Sequence, residues 1–533
     1  MILWDNIPAN DCAGRYIPMA EAFSAGNWRY AFHPRIPPLF PMVSGLVAKI
    51  LLVDGFTATK CVSALFFALT VFPLFGLART VWGRHNAIVT VILYLLCSRL
   101  LRLAGMGLRD TAKCFFFTLA TYGMIRFLSR RNWSDILLLV IGAAGLALLR
   151  GDSLIFALLF LIWALAEEVA ACIKKRKIIL PVKSLAGVVM FFIIITPWLY
   201  YEYIHTGYPV TESRIAMVIA QLKKEIVQPP VKTVHAEAGL VARGREKNPP
   251  VKTVARGSVP IALDAESEED AHGISDFFEE LFKGFFPPYL IFILPVLFFR
   301  IKERKLSRYE WLLLVVVLGH AALMVAQIFI SDSILYVSKR YLITVAPLTF
   351  GWAALGVRSV RDGLRRVMTK RWRWCVDIGL AACSVIMVAD GWLRIRPTQS
   401  VRKGAYQAGL MQCASWLKSN GKSYVKVIKP MPFDIYEYRT NNLPVVLAES
   451  PKISGLAGSG FIDLNQYSGN LTDFCMKQNV HLIVFGPEWK RDLSLLDNCP
   501  QLLKIKDFRE GGLPFVIFGF KPNIITDRQE HKK

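Results

Sequence analysis

Apolar runs of about 20 residues, the length that crosses a bilayer core, recur along this chain with short polar breaks between them. They lie near 37–53, 58–81, 86–104, 110–129, 134–149, 153–173, 179–202, 285–301, 309–331, 338–357 and 374–394. The breaks alternate in charge. Dense basic connections follow the second, fourth, sixth, eighth and tenth runs: Arg79 with Arg84, Arg126 with Arg130 and Arg131, 174–177, 300–308 and 358–373. Cytoplasmic loops carry the excess of Lys and Arg. Placing all five inside makes every run from 58 to 394 alternate, which predicts ten spans. The run 37–53 then falls outside the alternation. With Pro37, Pro38, Pro41 and Lys49, it is expected to lie in the outer interface as a juxtamembrane helix; the alternative is an eleventh span with a cytoplasmic N-terminus.

On this topology the outer connections are 1–57, 105–109, 150–152, the long stretch 203–284, and 332–340. Within the long stretch, 211–228 has helical spacing, and 229–271 is rich in Pro, Gly, Ala and charge. The latter repeats Pro-Val-Lys-Thr-Val at 230–234 and 250–254 and is expected to be a mobile loop. An amphipathic helix with Ser275 as its N-cap is expected to lead into the next span. From 395 the pattern changes. A helix over 404–419, strands at 424–428, 443–447, 481–485 and 514–520, and a short helix over 472–478 predict a small α/β domain on the outer side. The fold class is therefore an α-helical multi-pass membrane domain with a small C-terminal α/β domain. The layout is 1–57 outer loop and juxtamembrane helix, 58–394 transmembrane domain, and 395–533 extracytoplasmic domain.

Composition adds little that changes this picture. The formal charge is +24 in 533 residues of which 54% are hydrophobic, but the cations sit in the short loops where orientation demands them, so nucleic acid is not an expected partner. Ten cysteines are scattered, without a CxxC pair or metal-ligand spacing, and no metal is expected. Cys413, Cys475 and Cys499 allow one disulfide in the C-terminal part. Met1-Ile-Leu-Trp-Asp5 is too short for a signal peptide's apolar region, so none is expected. Asn470-Leu-Thr472 matches a glycosylation sequon and reads first as an N-cap.

Candidate chemistry lies on the outer loops. Asp11, Asp110 and Asp152 are acids beside them. For Asp152 the reading is a helix N-cap. For Asp110 an ion pair with Arg109 and a functional role stand side by side. Asp11 has no span beginning after it and reads as functional. Arg15, Arg29, Arg35, Arg109, Arg150, Lys223, Lys224, Lys339 and Arg340 share the face. Lys339-Arg340-Tyr341 stands where the charge bias disfavours cations, which suggests an anionic partner such as a phosphate. Arg150 invites the same argument. His33 reads as structural.

These patterns, in this order, resemble an integral-membrane glycosyltransferase of the GT-C class, the group of protein O-mannosyltransferases and aminoarabinose transferases. The resemblance covers roughly 1–400. It rests on Asp11 with Tyr16-Ile-Pro-Met-Ala-Glu21, on His33-Pro-Arg-Ile-Pro-Pro-Leu-Phe-Pro41 and on Leu108-Arg-Asp110. It continues through Leu148-Leu-Arg-Gly-Asp152, Pro197-Trp-Leu-Tyr-Tyr-Glu-Tyr203, Gly207-Tyr-Pro209 and Lys339-Arg-Tyr341. The resemblance implies a sugar donor carried on a polyprenyl phosphate, a first span ahead of the opening loop, and 37–53 as the juxtamembrane helix. It makes Asp11 the candidate base, Asp110 a second outer acid, and Arg150, Lys339, Arg340 and Tyr341 the ligands of the lipid phosphate. The sugar would pass, with inversion and without a divalent metal, to a lipid, glycan or protein acceptor. The site would face outward from a bacterial-type inner membrane. The competing class is a lipid-linked glycan flippase without chemistry. Against it, the charges cluster at the outer edge rather than at mid-membrane, and no inverted repeat is visible.

Overall fold

The computed structural model describes residues 8–34, 36–174, 181–206, 287–330, 343–368, 374–379, 401–424, 445–448, 451–463, 480–486, 502–508 and 515–520, with isolated positions 382, 386, 389 and 475. Several expectations fall outside the described residues: those on Arg35, Lys339-Arg340-Tyr341, most of the outer stretch 203–284, nearly all of 424–428, 472–478 except Cys475, Asn470, and Cys499.

The chain opens with a π-helical turn, Cys12–Tyr16, continuing into α1 (Ile17–Ser24). Then come α2 (Leu39–Leu51), α3 (Gly55–Trp82), α4 (Arg84–Leu96), α5 (Ser98–Gly105), α6 (Asp110–Arg130), α7 (Trp133–Leu149), α8 (Leu154–Lys174), α9 (Val182–Thr206), α10 (Pro287–Lys302), α11 (Arg308–Ile330) and α12 (Ala346–Val367). Most of the run 374–394 lies outside the described residues; elsewhere the helices follow the apolar runs, with two differences. The run 86–104 is not straight: α4 and α5 meet at Cys97 with a bend of 54°. The described part of the run 338–357 becomes helical only at Ala346.

Helix α2 has 13 residues, about 20 Å at 1.5 Å per residue, too short for a hydrocarbon core of about 30 Å. Its buried positions Phe40, Pro41, Ser44, Gly45 and Ala48 recur at three- and four-residue spacing, while Leu46, Ile50 and Leu51 are exposed. A Cβ at Gly45 would stand 2.6 Å from Phe23 Cβ, so α2 lies directly on α1. The chain then turns at Leu52, with φ 53°. Asp54 starts α3 as an N-cap, accepting from the amides of Phe56 and Thr57 at 2.9 and 3.0 Å and from the Thr57 hydroxyl at 2.6 Å. Partial burial works against its charge, but these three donors outweigh it and hold the Asp54 carboxyl below its usual range.

The core is built on α6, with α3 on one side and α7 on the other. Small residues let α6 and α7 approach to backbone contact: a Cβ at Gly142 would stand 2.4 Å from Ala120 N, and one at Gly123 would stand 2.5 Å from Leu139 N. Lipid tails give no hydrophobic drive between helices, so close packing of this kind holds them together. Pairs at the basic ends lock the bundle. Arg126 Nε meets the buried Asp135 at 2.6 Å. Glu310 accepts from Arg300 at 2.7 Å, Trp82 Nε1 at 3.0 Å and Trp352 Nε1 at 3.3 Å. Among the described residues, three helices are long and apolar enough to cross a membrane, or four if the bent pair α4–α5 is one span.

The C-terminal part combines α13 (Val401–Asn420) and α14 (Pro451–Ala457) with β1 (Val445–Ala448), β2 (Gly460–Asp463), β3 (Leu482–Phe485), β4 (Leu502–Asp507) and β5 (Val516–Phe520). The sheet order is β2-β1-β3-β5-β4. β1 pairs parallel with β2 and β3, while β5 runs antiparallel to β3 and β4. The helix and three strands follow the sequence reading; β2, β4 and α14 were not in it. Successive strand residues face opposite sides. Val446, Ala448, Leu482 and Val484 pack under α13 and α14 with Cys413, whereas Leu447, Ile483 and Phe485 pack on the other face with Cys475. Burial pushes the Cys413 thiol up to about 12.

Candidate active site

Three separate segments meet where the sequence places its outer loops. The first is the π turn. Its N-cap residue is Asp11, whose side chain makes no cap bond there and is partly exposed, with a carboxylate oxygen 3.8 Å from Arg15 NH1. The turn itself is covered: Cys12, Ala13, Gly14 and Tyr16 are buried. Tyr16 packs edge-on against Phe40 of α2 at 5.2 Å between centroids. Cys12 Sγ lies 3.4 Å from Thr59 Oγ1 of α3.

The second segment is the loop before α6. Gly107 has φ +67°, and a Cβ there would stand 2.8 Å from Thr59 Oγ1 and 3.1 Å from Cys12 Sγ. Only glycine combines that conformation with that approach. Ser63 of α3 donates to the Leu108 carbonyl, and Thr111 donates to the Ser63 carbonyl at 2.9 Å. The loop is thus sewn to α3 directly beside the π turn, and it carries Arg109 and Asp110 into the core, 8% and 2% exposed.

The third segment is the turn from α7 to α8. Arg109 NH1 donates to the Leu149 carbonyl at 2.9 Å, and its guanidinium stands 5.6 Å from the Tyr16 ring centroid. One side chain therefore touches both other segments. In the turn, Arg150 Nε pairs with Asp152 at 2.8 Å. Asp152 also takes a bond from Ser153 at 3.3 Å. Asp152, expected as a helix N-cap, is thus a buried ion-pair partner. Lys113, one turn into α6 and 2% exposed, lies within coulombic reach of Asp152, Arg150, Asp110 and Arg109.

The result is a cluster of three cations and two acids, all buried but the largely covered Arg150, drawn from the loop before α6, α6 itself and the 149–152 turn, beside the turn headed by Asp11. Charges this deep persist only when paired or when they meet a charged partner. The arrangement can hold an anion against fixed cations while the partly exposed Asp11 carboxylate faces a polar group from outside. Of the candidates read from the sequence, Asp11, Asp110 and Arg150 are thereby brought to one end of the helices. Lys339, Arg340 and Tyr341 lie outside the described residues, and the described chain resumes at Ile343, whose carbonyl accepts from Cys114 of α6 at 3.8 Å. The sequence reading missed Lys113. Its signal was a lysine inside an apolar helix three residues after an acid, the spacing that puts both on one face. It also passed over Glu202 of α9, buried and lining a small cleft with Gly151, Leu154 and Trp198.

The apolar helices are those of an integral-membrane protein, and the fold is that of the GT-C glycosyltransferases. Residues 34–201 match the family model described as dolichyl-phosphate-mannose-protein mannosyltransferase. ArnT from Cupriavidus metallidurans in the apo state shares 13% identity, over 97% of this chain and 94% of that one, with a TM-score of 0.55. The same protein bound to undecaprenyl phosphate gives 13% identity, 98% and 95% coverage and a TM-score of 0.54. No curated protein matches the chain. At such identity the two structures speak for the fold. The likeness to GT-C glycosyltransferases read from the short motifs stands.

Proposed function

We propose that the chain transfers a sugar from a polyprenyl-phosphate donor to a lipid, glycan or protein acceptor on the extracytoplasmic face of a bacterial-type inner membrane. The observation that carries this reading is that the turn headed by the partly exposed Asp11 has the buried Arg109 over its Tyr16 ring at 5.6 Å, with the buried Lys113 and the largely covered Arg150 close to Arg109. In this reading ten spans carry the site, and 395–533 is an extracytoplasmic domain. The donor phosphate sits at Arg150 with Lys339, Arg340 and Tyr341. Support for the last three is that the chain after them packs on Cys114, one turn from Asp110. Asp110, buried at the head of α6, holds the cations in place rather than meeting the acceptor.

As the anomeric C–O bond to phosphate breaks, negative charge grows on the leaving polyprenyl phosphate. Cations already fixed in a dry site stabilise that charge without reorganising, commonly the main source of rate enhancement in such catalysis. Asp11 takes the proton of the acceptor hydroxyl as its oxygen attacks the anomeric carbon, with inversion. Base assistance of this kind is worth about 10²–10⁴-fold. The fixed cations take the role a divalent metal would fill, so transfer is expected to survive EDTA.

The test is Asp11→Asn, assayed in membranes supplied with the lipid-linked sugar. Transfer should fall by at least about 10²-fold with the protein still inserted. Undiminished transfer removes Asp11 from the mechanism. A variant whose intact lipid-linked sugar accumulates on the wrong face points instead to a flippase.

A further inference from the structure

Helix α14 of the C-terminal domain packs on the π turn Cys12–Tyr16. Its own core holds it by Ile453 and Ala457, which face the sheet with Leu482 and Val484. Helical periodicity puts position 455 on the opposite face, and that residue is glycine. The turn it meets also begins with small residues, Cys12-Ala13-Gly14. Cα atoms of the two segments come within 8 Å of each other.

A π turn has a special need for such support. Its i→i+5 bonding is intrinsically rare and recurs at functional sites. Ala13 and Gly14 carry no side chain long enough to anchor it. On its membrane side the turn is gripped by Tyr16 on Phe40 and Cys12 on Thr59. The contact with α14 is a second grip, from a domain whose hydrophobic core is separate from that of the helices. Asp11 is the residue immediately before the turn, so its direction follows that of the turn.

We infer that α14 is a positioning element: the C-terminal domain holds the π turn from outside and thereby aims the Asp11 carboxylate. This inference rests on the reading of Asp11 as the base. It makes the C-terminal domain a working part of the active site rather than an appendage.

Gly455→Trp wedges the contact open from the face turned away from α14's own core. A base displaced by about 1 Å loses up to ~10²-fold, so kcat should fall by about 10–100-fold. The KM for the lipid-linked donor, which the buried cations set, should stay within about twofold. Lys418→Trp, on the exposed end of α13, should leave both unchanged. If Gly455→Trp does not accumulate, Gly455→Val is read by the same split. Independently, a photo-crosslinking amino acid replacing Gly455 in the full-length membrane protein should capture the peptide containing 12–16. Wild-type kcat in the wedged protein, an equal loss in Lys418→Trp, or crosslinks confined to 401–533 each overturn the inference. Inactive Asp11→Asn beside fully active Gly455→Trp would sink the positioning role alone. Active Asp11→Asn sinks the base assignment, whatever the crosslink gives.

Discussion

Removing Arg109 should loosen its end of the helix bundle more than any other single truncation there, because this one side chain ties three segments together. Arg109→Met removes a charge-assisted hydrogen bond to the Leu149 carbonyl, worth about 1.5–3 kcal/mol. It also removes the contact with the Tyr16 ring at 5.6 Å, worth about 0.5–2 kcal/mol for a desolvated pair. The gross loss is about 2–5 kcal/mol. Part is returned, because methionine fills the apolar volume without a cation to desolvate. Against that, Asp110 and Asp152, buried at 2% and 3% exposure, lose a neighbouring positive charge. The net expectation is about 2–4 kcal/mol, an apparent melting temperature lower by roughly 4–8 °C at about 2 °C per kcal/mol. Arg109→Lys keeps the charge but not the planar fork that reaches a carbonyl while lying over a ring, and should recover less than half of the loss. The assay is thermal unfolding of the purified protein in detergent, with transfer measured in parallel. An Arg109→Met protein that melts within about 1 °C of its parent and transfers sugar at the parental rate would refute the idea that this residue ties the site together.

Two further perturbations probe the scaffold. Gly142→Ala puts a methyl 2.4 Å from the Ala120 amide nitrogen, so α6 and α7 must separate. A loss of about 1–3 kcal/mol is expected and is read as a lower melting temperature, while Gly105→Ala, with open space around it, should change little. Asp54→Ala removes the N-cap of α3 at an expected cost of about 0.5–2 kcal/mol. Because the folded-state pKa of Asp54 is depressed, its contribution is present above the unfolded carboxylate range of about 4 and is lost as pH falls through the folded value. The stability gap between parent and Asp54→Ala should therefore close on acidification, and a gap that persists or widens at low pH contradicts the assignment.

The helices were legible because each is a long apolar run bounded by charge, a signal carried by neighbouring residues. The short helix α2 was legible too, as an apolar run opened by prolines. The apolar residues within 443–447 similarly announced a strand, which the structure buries on both faces as β1. What sequence could not give was the break at Cys97, the edge strand β2, or the partners of the buried charges. Asp152 looked like an N-cap because caps are local; its pairing with Arg150 depends on how the turn is folded. Lys113 looked like one polar residue in a helix because its other neighbours come from residues 37 and 39 positions away, Arg150 and Asp152.

The sequence by itself determined a series of apolar helices broken by charged turns, as in a membrane protein, and a C-terminal α/β part. Bilayer thickness and charge asymmetry write those features into runs of adjacent residues. Only the tertiary structure decided which acid stays open to solvent and which are enclosed. It alone set Gly107 against Cys12 and Thr59, and laid α14 on the turn that bears Asp11. Those contacts join residues tens to hundreds of positions apart, where close packing, not local pattern, selects the partner.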